Sequence, residues 1–417
     1  MFNLEINENK IELKLLFIRL KISLSIQKLF LKNLRPLLLL LDFVLPKDSK
    51  KVVALLYPKQ ENKVDTYLNW IKNNHQEYEC IRITEDTKNI YKNKNTYLFY
   101  SIKGFWQLYR AKYIIVASSR FINYMSSKRH ICINLWHGMP IKTLGLTDNL
   151  PKSINNLYKT MGESYKTFVT SDIFKHIMAS CFRANYKNIF VTGLPVTDSV
   201  MDCRSNLSLE QFFEFNMFNK IIIFLPTFKS KALSHVKQID KDYNNIFYMD
   251  DYSNENFISF LEKNNILFIM KPHPLDENLY MNCIETLPKT KNFKIVYDGD
   301  FKKNNFDLYE LLKYTDLMIS DFSSITLDYL ILNRPIIYLN NLTDEYSQNR
   351  GMILPDNFSI FMPGHKVRTY KDLEDKIIDS LTIDSTRALR EKTIPLIHKY
   401  CDNKASERIF EIMISED

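Results

Sequence analysis

The sequence predicts an α/β protein of two doubly wound parallel-sheet (Rossmann-like) domains facing each other across a cleft. Three observations carry that reading. Short apolar runs of strand length alternate with helical patterns from about residue 50 to residue 200, the signature of parallel βαβ units. After the polar run Met201 to Ser208 the alternation starts again at Lys220. The 417 residues are enough for two domains of ordinary size. The expected division is a basic amphipathic helical segment over 1–49, a first domain over 50–205, and a second over 206–417 that includes C-terminal helices.

Composition narrows the class. Hydrophobic content of 45% and charged content of 25% are those of a globular protein. Only 8 glycines, with no G-x-G-x-x-G and no Walker loop, argue against a glycine-rich loop as the main binding device. The net charge of +8 suits a phosphorylated substrate, a polyanion or an anionic membrane. Nucleic acid has no motif behind it and is not expected as a partner. Six cysteines stand apart at positions 80, 132, 181, 203, 283 and 401 without a C-x-x-C pair, and no signal-peptide pattern opens the chain. A reduced, cytoplasmic protein without structural zinc is therefore expected.

In residues 10–45, Leu13, Leu16, Phe17, Leu20, Leu24, Leu31 and Leu34 fall at helical spacing. Lys10, Lys14, Arg19, Lys21, Lys28, Lys32 and Arg35 decorate the rest, against a single Glu12. A basic amphipathic helix suits the surface of an anionic membrane. The same pattern fits a helical hairpin packed on the protein itself or a partner-binding helix, and those alternatives stay open. It is not expected to span. Charges interrupt it every few residues, and the uncharged run Pro36 to Leu41 is far short of the roughly 20 residues needed.

Strands are expected at Val52 to Tyr57, Tyr78 to Thr84, Asn95 to Tyr100, Tyr113 to Ala117, Ile131 to Trp136, Phe168 to Ser171 and Asn188 to Thr192. In the second half they are expected at Lys220 to Leu225, Leu267 to Met270, Lys294 to Tyr297, Leu317 to Ile319 and Ile336 to Leu339. Thr66 to Asn74 reads as a helix, and helical patterns resume from Lys371.

Four loops follow expected strands and so should open on one cleft, because open α/β sheets bind ligands at the carboxyl ends of their strands. They are Trp136 to Lys142, Pro226 to Lys229, Lys271 to Pro274, and the turn Ser320 to Ser324. In that turn Ser320, Asp321, Ser323 and Ser324 set three hydroxyls and a carboxylate before the helical spacing of Ile325, Leu327, Leu330 and Ile331. Hydroxyls and backbone N–H groups at a helix start suit a phosphate or pyrophosphate; the plain alternative is a well-capped helix. His137 precedes Gly138, whose missing side chain permits a tight turn and close backbone approach. An imidazole there can act as a general base, or it can simply be held by a carbonyl at a strand end. His273 lies between two prolines that fix its loop, close to Lys271. The plain alternative there is an exposed turn. Histidines 75, 130, 176, 235, 365 and 398 lack such settings and read as structural or solvated.

The stretches W-H-G-M-P-I-K-T-L-G at 136–145, P-T-F-K at 226–229, K-P-H-P at 271–274 and S-D-F-S-S-I-T-L-D-Y-L at 320–330 resemble, in this order, the CDP-glycerol glycerophosphotransferase family, which makes and modifies teichoic-acid-like and capsular polymers. The C-terminal D-N-K-A-S-E-R-I at 402–409 is similar to the family's D-G-x-A-S-x-R ending, with Asn403 for Gly, a mild change because Asn tolerates a left-handed backbone. The resemblance covers about residues 110–410. It implies a GT-B fold with an acceptor-side domain first and a CDP-alditol-binding domain second. The family's two essential histidines map onto His137 and His273, and its pyrophosphate-binding serines onto Ser323 and Ser324, beside Asp321. Gly138, Lys142, Thr227, Lys229, Lys271 and Ser320 complete the implied substrate contacts. One departure is Gly193-Leu194-Pro195-Val196, where members often carry G-x-P-R; Asp198 follows in the same loop.

The reaction implied is attack of an acceptor hydroxyl on the β-phosphate of a CDP-alditol, glycerol phosphate foremost, with CMP leaving. Positioning and charge stabilisation dominate such chemistry. His137 would take the acceptor proton, while His273, Lys271 and Lys229 would steady the pyrophosphate. Asp328 would reach the ribose or face solvent. No cofactor or metal is called for. The acceptor would be a cell-surface polymer or lipid-linked chain, met at the inner face of the membrane through residues 10–45. The rival readings are a GT-B glycosyltransferase using a nucleotide sugar and a non-catalytic polyanion- or membrane-binding scaffold.

Overall fold

The structure, a computed structural model, describes residues 3–7, 10–15, 18–23, 33–56, 61–86, 94–118, 124–125, 128–148, 152–227, 245–274, 276–277, 280, 288–304, 306–321, 323–340, 351–353 and 361–415. The chain opens on an antiparallel meander of β1 (Asn3–Asn7), β2 (Lys10–Leu15) and β3 (Ile18–Ser23). This corrects the helix expected over residues 10–45 at Lys10–Leu15 and Ile18–Ser23; residues 24–32 of that expectation lie outside the described residues. K-I-E-L-K-L and I-R-L-K-I-S alternate apolar and polar residues strictly, a period of two that strands satisfy. Register pairs Ile11 with Ile22 and Leu13 with Leu20. Among the described residues of this segment the helix is Arg35–Val44, with Pro36 in its first turn, where a missing N–H costs nothing.

The first large sheet holds β4 (Asp48–Leu56), β5 (Glu79–Thr84), β6 (Thr96–Leu98), β7 (Ala111–Val116), β8 (Ile131–Asn134), β9 (Lys166–Val169) and β10 (Ile189–Val191), in spatial order β10-β9-β8-β7-β4-β5-β6. Every neighbouring pair is parallel. The second sheet holds β11 (Lys220–Leu225), β12 (Ile266–Met270), β13 (Phe293–Ile295), β14 (Leu317–Ser320), β15 (Ile336–Leu339) and β16 (His365–Val367), in order β13-β12-β11-β14-β15-β16 and again all parallel. Counted along the chain, both orders run 3-2-1-4-5-6, the second sheet ending there and the first carrying one strand more. Each has a switch point beside its first strand, β4/β7 and β11/β14, and that is where such sheets bind ligands. The strand β16 was not expected: H-K-V is a three-residue edge without an apolar run.

Packing follows the two-residue period of the strands. Ile221, Ile223, Leu225, Ile269 and Met318 join a core continuous with the first half. Ile222, Phe224, Phe268, Leu317 and Ile319 face a separate core on the other side. Truncating a side chain such as Ile319 to Ala should therefore cost about 2–5 kcal/mol. Beyond the second sheet the chain returns to the first. The helix Arg387–Ile397 packs on Asp172–Phe182, and Ala405–Ile414 packs on Pro195–Met201 and Glu61–Asn74. The Lys399 N–H donates to the Thr170 carbonyl at 2.9 Å, and Arg408 Nε to that of Thr192 at 2.9 Å. No helix among the described residues is long and apolar enough to cross a membrane.

Candidate active site

At the second sheet's switch point, β11 and β14 pair Leu225 with Ser320. The Ser320 hydroxyl is fully buried and donates to the Leu225 carbonyl at 2.6 Å. Its task is therefore to tie the two strand ends, where the sequence reading gave it to substrate. One residue on, the Asp321 carboxylate accepts the Thr227 N–H at 3.0 and 3.1 Å and the Thr227 hydroxyl at 2.7 Å. These three bonds clamp the loop after β11 to the turn after β14. Lys229 lies outside the described residues. The Ser323 carbonyl accepts the N–H and hydroxyl of Thr326 at 3.2 and 2.8 Å. Ser324 leads into the short helix Ile325–Tyr329, and its hydroxyl makes no capping bond.

The third loop on this edge follows β12, which neighbours β11. The Lys271 N–H donates to the Phe224 carbonyl at 3.0 Å. Lys271 Nζ lies 2.7 Å from Asp298 Oδ1 and 5.7 Å from the centroid of the Phe301 ring. The side chain is 9% exposed and its ammonium is held by a carboxylate, which narrows the phosphate-steadying role expected for it. His273 is half-buried, and its carbonyl accepts the Asp276 N–H at 2.8 Å.

In the first half, Asn134 closes β8. Its side chain accepts the Trp136 N–H at 3.0 Å and donates to Thr167 Oγ1 at 3.2 Å. This holds Trp136 at φ 49°, a left-handed backbone rare for a bulky residue, with its ring buried 5.0 Å from that of Phe182. The twist delivers His137 exposed at the cleft side of the sheet. His137 Nδ1 lies 3.1 Å from the Ala117 carbonyl oxygen. A carbonyl only accepts, so Nδ1 carries the hydrogen and the neutral ring keeps its lone pair on Nε2, the arrangement a general base requires. Lys142, half-buried, forms an isolated antiparallel bridge with Met352.

Gly138 joins the halves. Its φ is 125°, and a Cβ placed on it would sit 3.2 Å from Ser324 Oγ and 3.4 Å from Lys63 Nζ. The W-H-G loop of one sheet therefore lies against the serine turn of the other. Lys63, in the first turn of the helix after β4, was not singled out by sequence, where it is one lysine among many. It reaches Asp328 Oδ2 at 3.4 Å across the halves. Asp328, expected at the ribose or in solvent, is 1% exposed and also accepts the Tyr309 hydroxyl at 2.7 Å.

The C-terminal motif belongs to a different joint. The Asp198 carboxylate accepts the N–H groups of Ala405 and Ser406 at 2.9 and 2.8 Å, starting the last helix. Burial raises its pKa above the ordinary value against the pull of those bonds. Arg408 grips both oxygens of Asp402 at 2.7 and 2.8 Å, and Asn403 sits at φ 44°, the left-handed backbone for which Asn stands in for Gly.

The W-H-G loop meets the serine turn, the loop after β11 is clamped to that turn, and the loop after β12 leaves the same sheet edge. Residues 38–415 match the model of the CDP-glycerol:poly(glycerophosphate) glycerophosphotransferases. The chain belongs to this family. The match begins well before residue 110, where the resemblance was expected to start. The chain is 28% identical over 288 residues to the teichoic acid ribitol-phosphate polymerase TarL of Staphylococcus aureus (strain NCTC 8325 / PS 47), covering 66% of this chain and 46% of that protein. It therefore spans about half the length of that relative. With the teichoic acid glycerol-phosphate primase of Bacillus subtilis (strain 168) it shares 24% identity over 328 residues, 75% of this chain and 76% of that one. Among solved structures, the wall teichoic acid polymerase TagF superposes with a TM-score of 0.72 at 16% identity, covering 94% of this chain and 96% of that one. The fold is GT-B.

Proposed function

We propose that the chain transfers an alditol phosphate, glycerol phosphate foremost, from a CDP-alditol to a hydroxyl of a cell-surface polymer or lipid-linked acceptor. The observation that carries this is the approach of Gly138 to Ser324, which sets the His137 loop against the serine turn. The acceptor oxygen attacks the β-phosphorus and loses its proton to His137 Nε2. The bond between that phosphorus and the bridging oxygen breaks, and CMP leaves with the oxygen. Ser323 and Ser324 hydroxyls hold the phosphates, with Thr227 and Asp321 fixing their turn. His273 stands on the leaving-group side. Backing for the donor comes from the family name and from a TagF structure soaked with CDPG.

CMP release from CDP-glycerol and CDP-ribitol, offered separately with polymer and lipid-linked acceptors, tests the reading. Release abolished in both His137→Ala and His273→Ala supports it. Silence with both donors but turnover of a nucleotide sugar would move the protein to the glycosyltransferases.

The lipid-linked acceptor suggests where the chain works. On the Arg35–Val44 helix, Leu37, Leu40, Leu41, Phe43 and Val44 are 42–58% exposed, and Trp106 on the adjoining Ile102–Arg110 helix is 53% exposed. Arg129 lies 5.7 Å from the Phe43 ring and Arg110 5.9 Å from that of Trp106. An apolar face rimmed by cations suits the anionic inner leaflet. Flotation with phosphatidylglycerol vesicles should be lost in Leu40→Asp/Phe43→Asp; binding unchanged by those charges would refute the assignment.

A further inference from the structure

We propose that Lys63 is a phosphate ligand supplied by the first half to the donor bound in the second, with Asp328 as the residue that positions it. The inference rests on the transferase reading above and adds a residue to that site. Lys63 Nζ and Ser324 Oγ both lie within 3.4 Å of the point a Gly138 Cβ would occupy, so the ammonium stands beside the turn assigned to the phosphates. Its side chain is 18% exposed, so it is not sealed from solvent.

The surroundings suit a cation on call for an anion. Asp328 is 1% exposed, and its Oδ2 meets both Lys63 and the Tyr309 hydroxyl. Its Oδ1 has no hydrogen-bond donor among the described residues. The Lys63–Asp328 separation of 3.4 Å is long for a charge-assisted bond, in contrast to the 2.7 Å of Lys271–Asp298. The Tyr309 ring centroid lies 5.1 Å from Nζ and adds a weak attraction. Lys63 is therefore lightly tethered, where Lys271 is tightly paired. A donor diphosphate entering beside Ser324 meets an ammonium that Asp328 holds in place without pairing it tightly. Because Lys63 belongs to the first half and Ser324 to the second, that contact draws the two halves together on the bound donor. Its charge then faces the negative charge that builds as the phosphoryl group transfers.

The test uses the full chain. Wild type, Lys63→Met, Lys63→Arg and Asp328→Asn are compared in CMP release from CDP-glycerol and, by calorimetry, in binding of CDP-glycerol and of CMP. For Lys63→Met, kcat/KM should fall about 10²-fold. Its CDP-glycerol affinity should fall roughly tenfold, with CMP affinity kept within about twofold. Lys63→Arg should recover most of the loss, and Asp328→Asn should lower the ratio of CDP-glycerol to CMP affinity in the same direction. If Lys63→Met weakens both ligands equally, or lowers only the melting temperature, Lys63 is an interdomain tie and the proposal is overturned while the transferase reading stands. If the wild type neither binds nor turns over a CDP-alditol, that reading falls and takes the proposal with it.

Discussion

The two halves share a strand order and differ in how they use its switch point. In the second half the crevice between β11 and β14 is braced from both sides, with Ser320 tied to Leu225 and Asp321 to Thr227. In the first half the loops beside the corresponding crevice carry an imidazole and an ammonium. His137 is steadied through one ring nitrogen on a backbone carbonyl, and Lys63 is lightly held by Asp328. One topology thus carries a braced turn of hydroxyls and, facing it, an imidazole and a cation. A charged diphosphate suits the turn, and an incoming hydroxyl that must lose a proton suits the other side. Topology gives the place and the side chains decide the chemistry.

That contrast can be broken one residue at a time. The largest effect is expected at His137: replacing it with Ala should lower kcat about 10³-fold with the donor KM little changed, since general-base catalysis is worth roughly 10²–10⁴. Asp321→Ala should come next. It frees the Thr227 loop and leaves buried donors unpaired, at about 1–3 kcal/mol of stability, with KM for the donor rising more than kcat falls. The readouts are a thermal melt and steady-state kinetics, and an unchanged donor KM would show that the brace does not shape the donor site. Gly138→Ala should be smaller in stability, about 1–2 kcal/mol for a side chain at φ 125°. Its added methyl crowds Ser324 and Lys63 together, so activity should suffer beyond what the melt accounts for.

The smallest effect is one of pH. His398 is buried, with Nε2 2.7 Å from the Leu327 carbonyl beneath the serine turn, and burial lowers its pKa from 6.5. The folded state then binds fewer protons than the unfolded one in the window just below pH 6.5, so stability is lost as pH falls through it. His398→Gln should flatten that part of the stability curve. A wild-type melt that does not move between pH 7 and about 5.5 would contradict this.

Much of the second half was legible because buried parallel strands are short apolar runs, and K-I-I-I-F-L or L-M-I-S followed by polar loops has few other readings. The loops were legible for the same reason, since a strand end fixes where the next residues go. The N-terminal meander was misread because Leu13, Leu16, Phe17 and Leu20 satisfy a helical period, while the alternation of Ile11, Leu13 and Leu15 satisfies a strand just as well. Roles set by long-range contacts were not legible. Nothing local marks Ser320 for the Leu225 carbonyl, Lys271 for Asp298, Asp198 for the last helix, or Lys63 for Asp328, because each pairing spans a fold that the sequence does not spell out.

The central claim is that the His137 loop and the serine turn serve one transferring phosphate. A crystal structure of His137→Asn soaked with CDP-glycerol tests it most directly. The account predicts the diphosphate within hydrogen-bond reach of Ser324 Oγ, about 3.5 Å or less, with the glycerol-bearing phosphate turned toward residue 137. A nucleotide bound with its phosphates away from both the serine turn and residue 137 would contradict it.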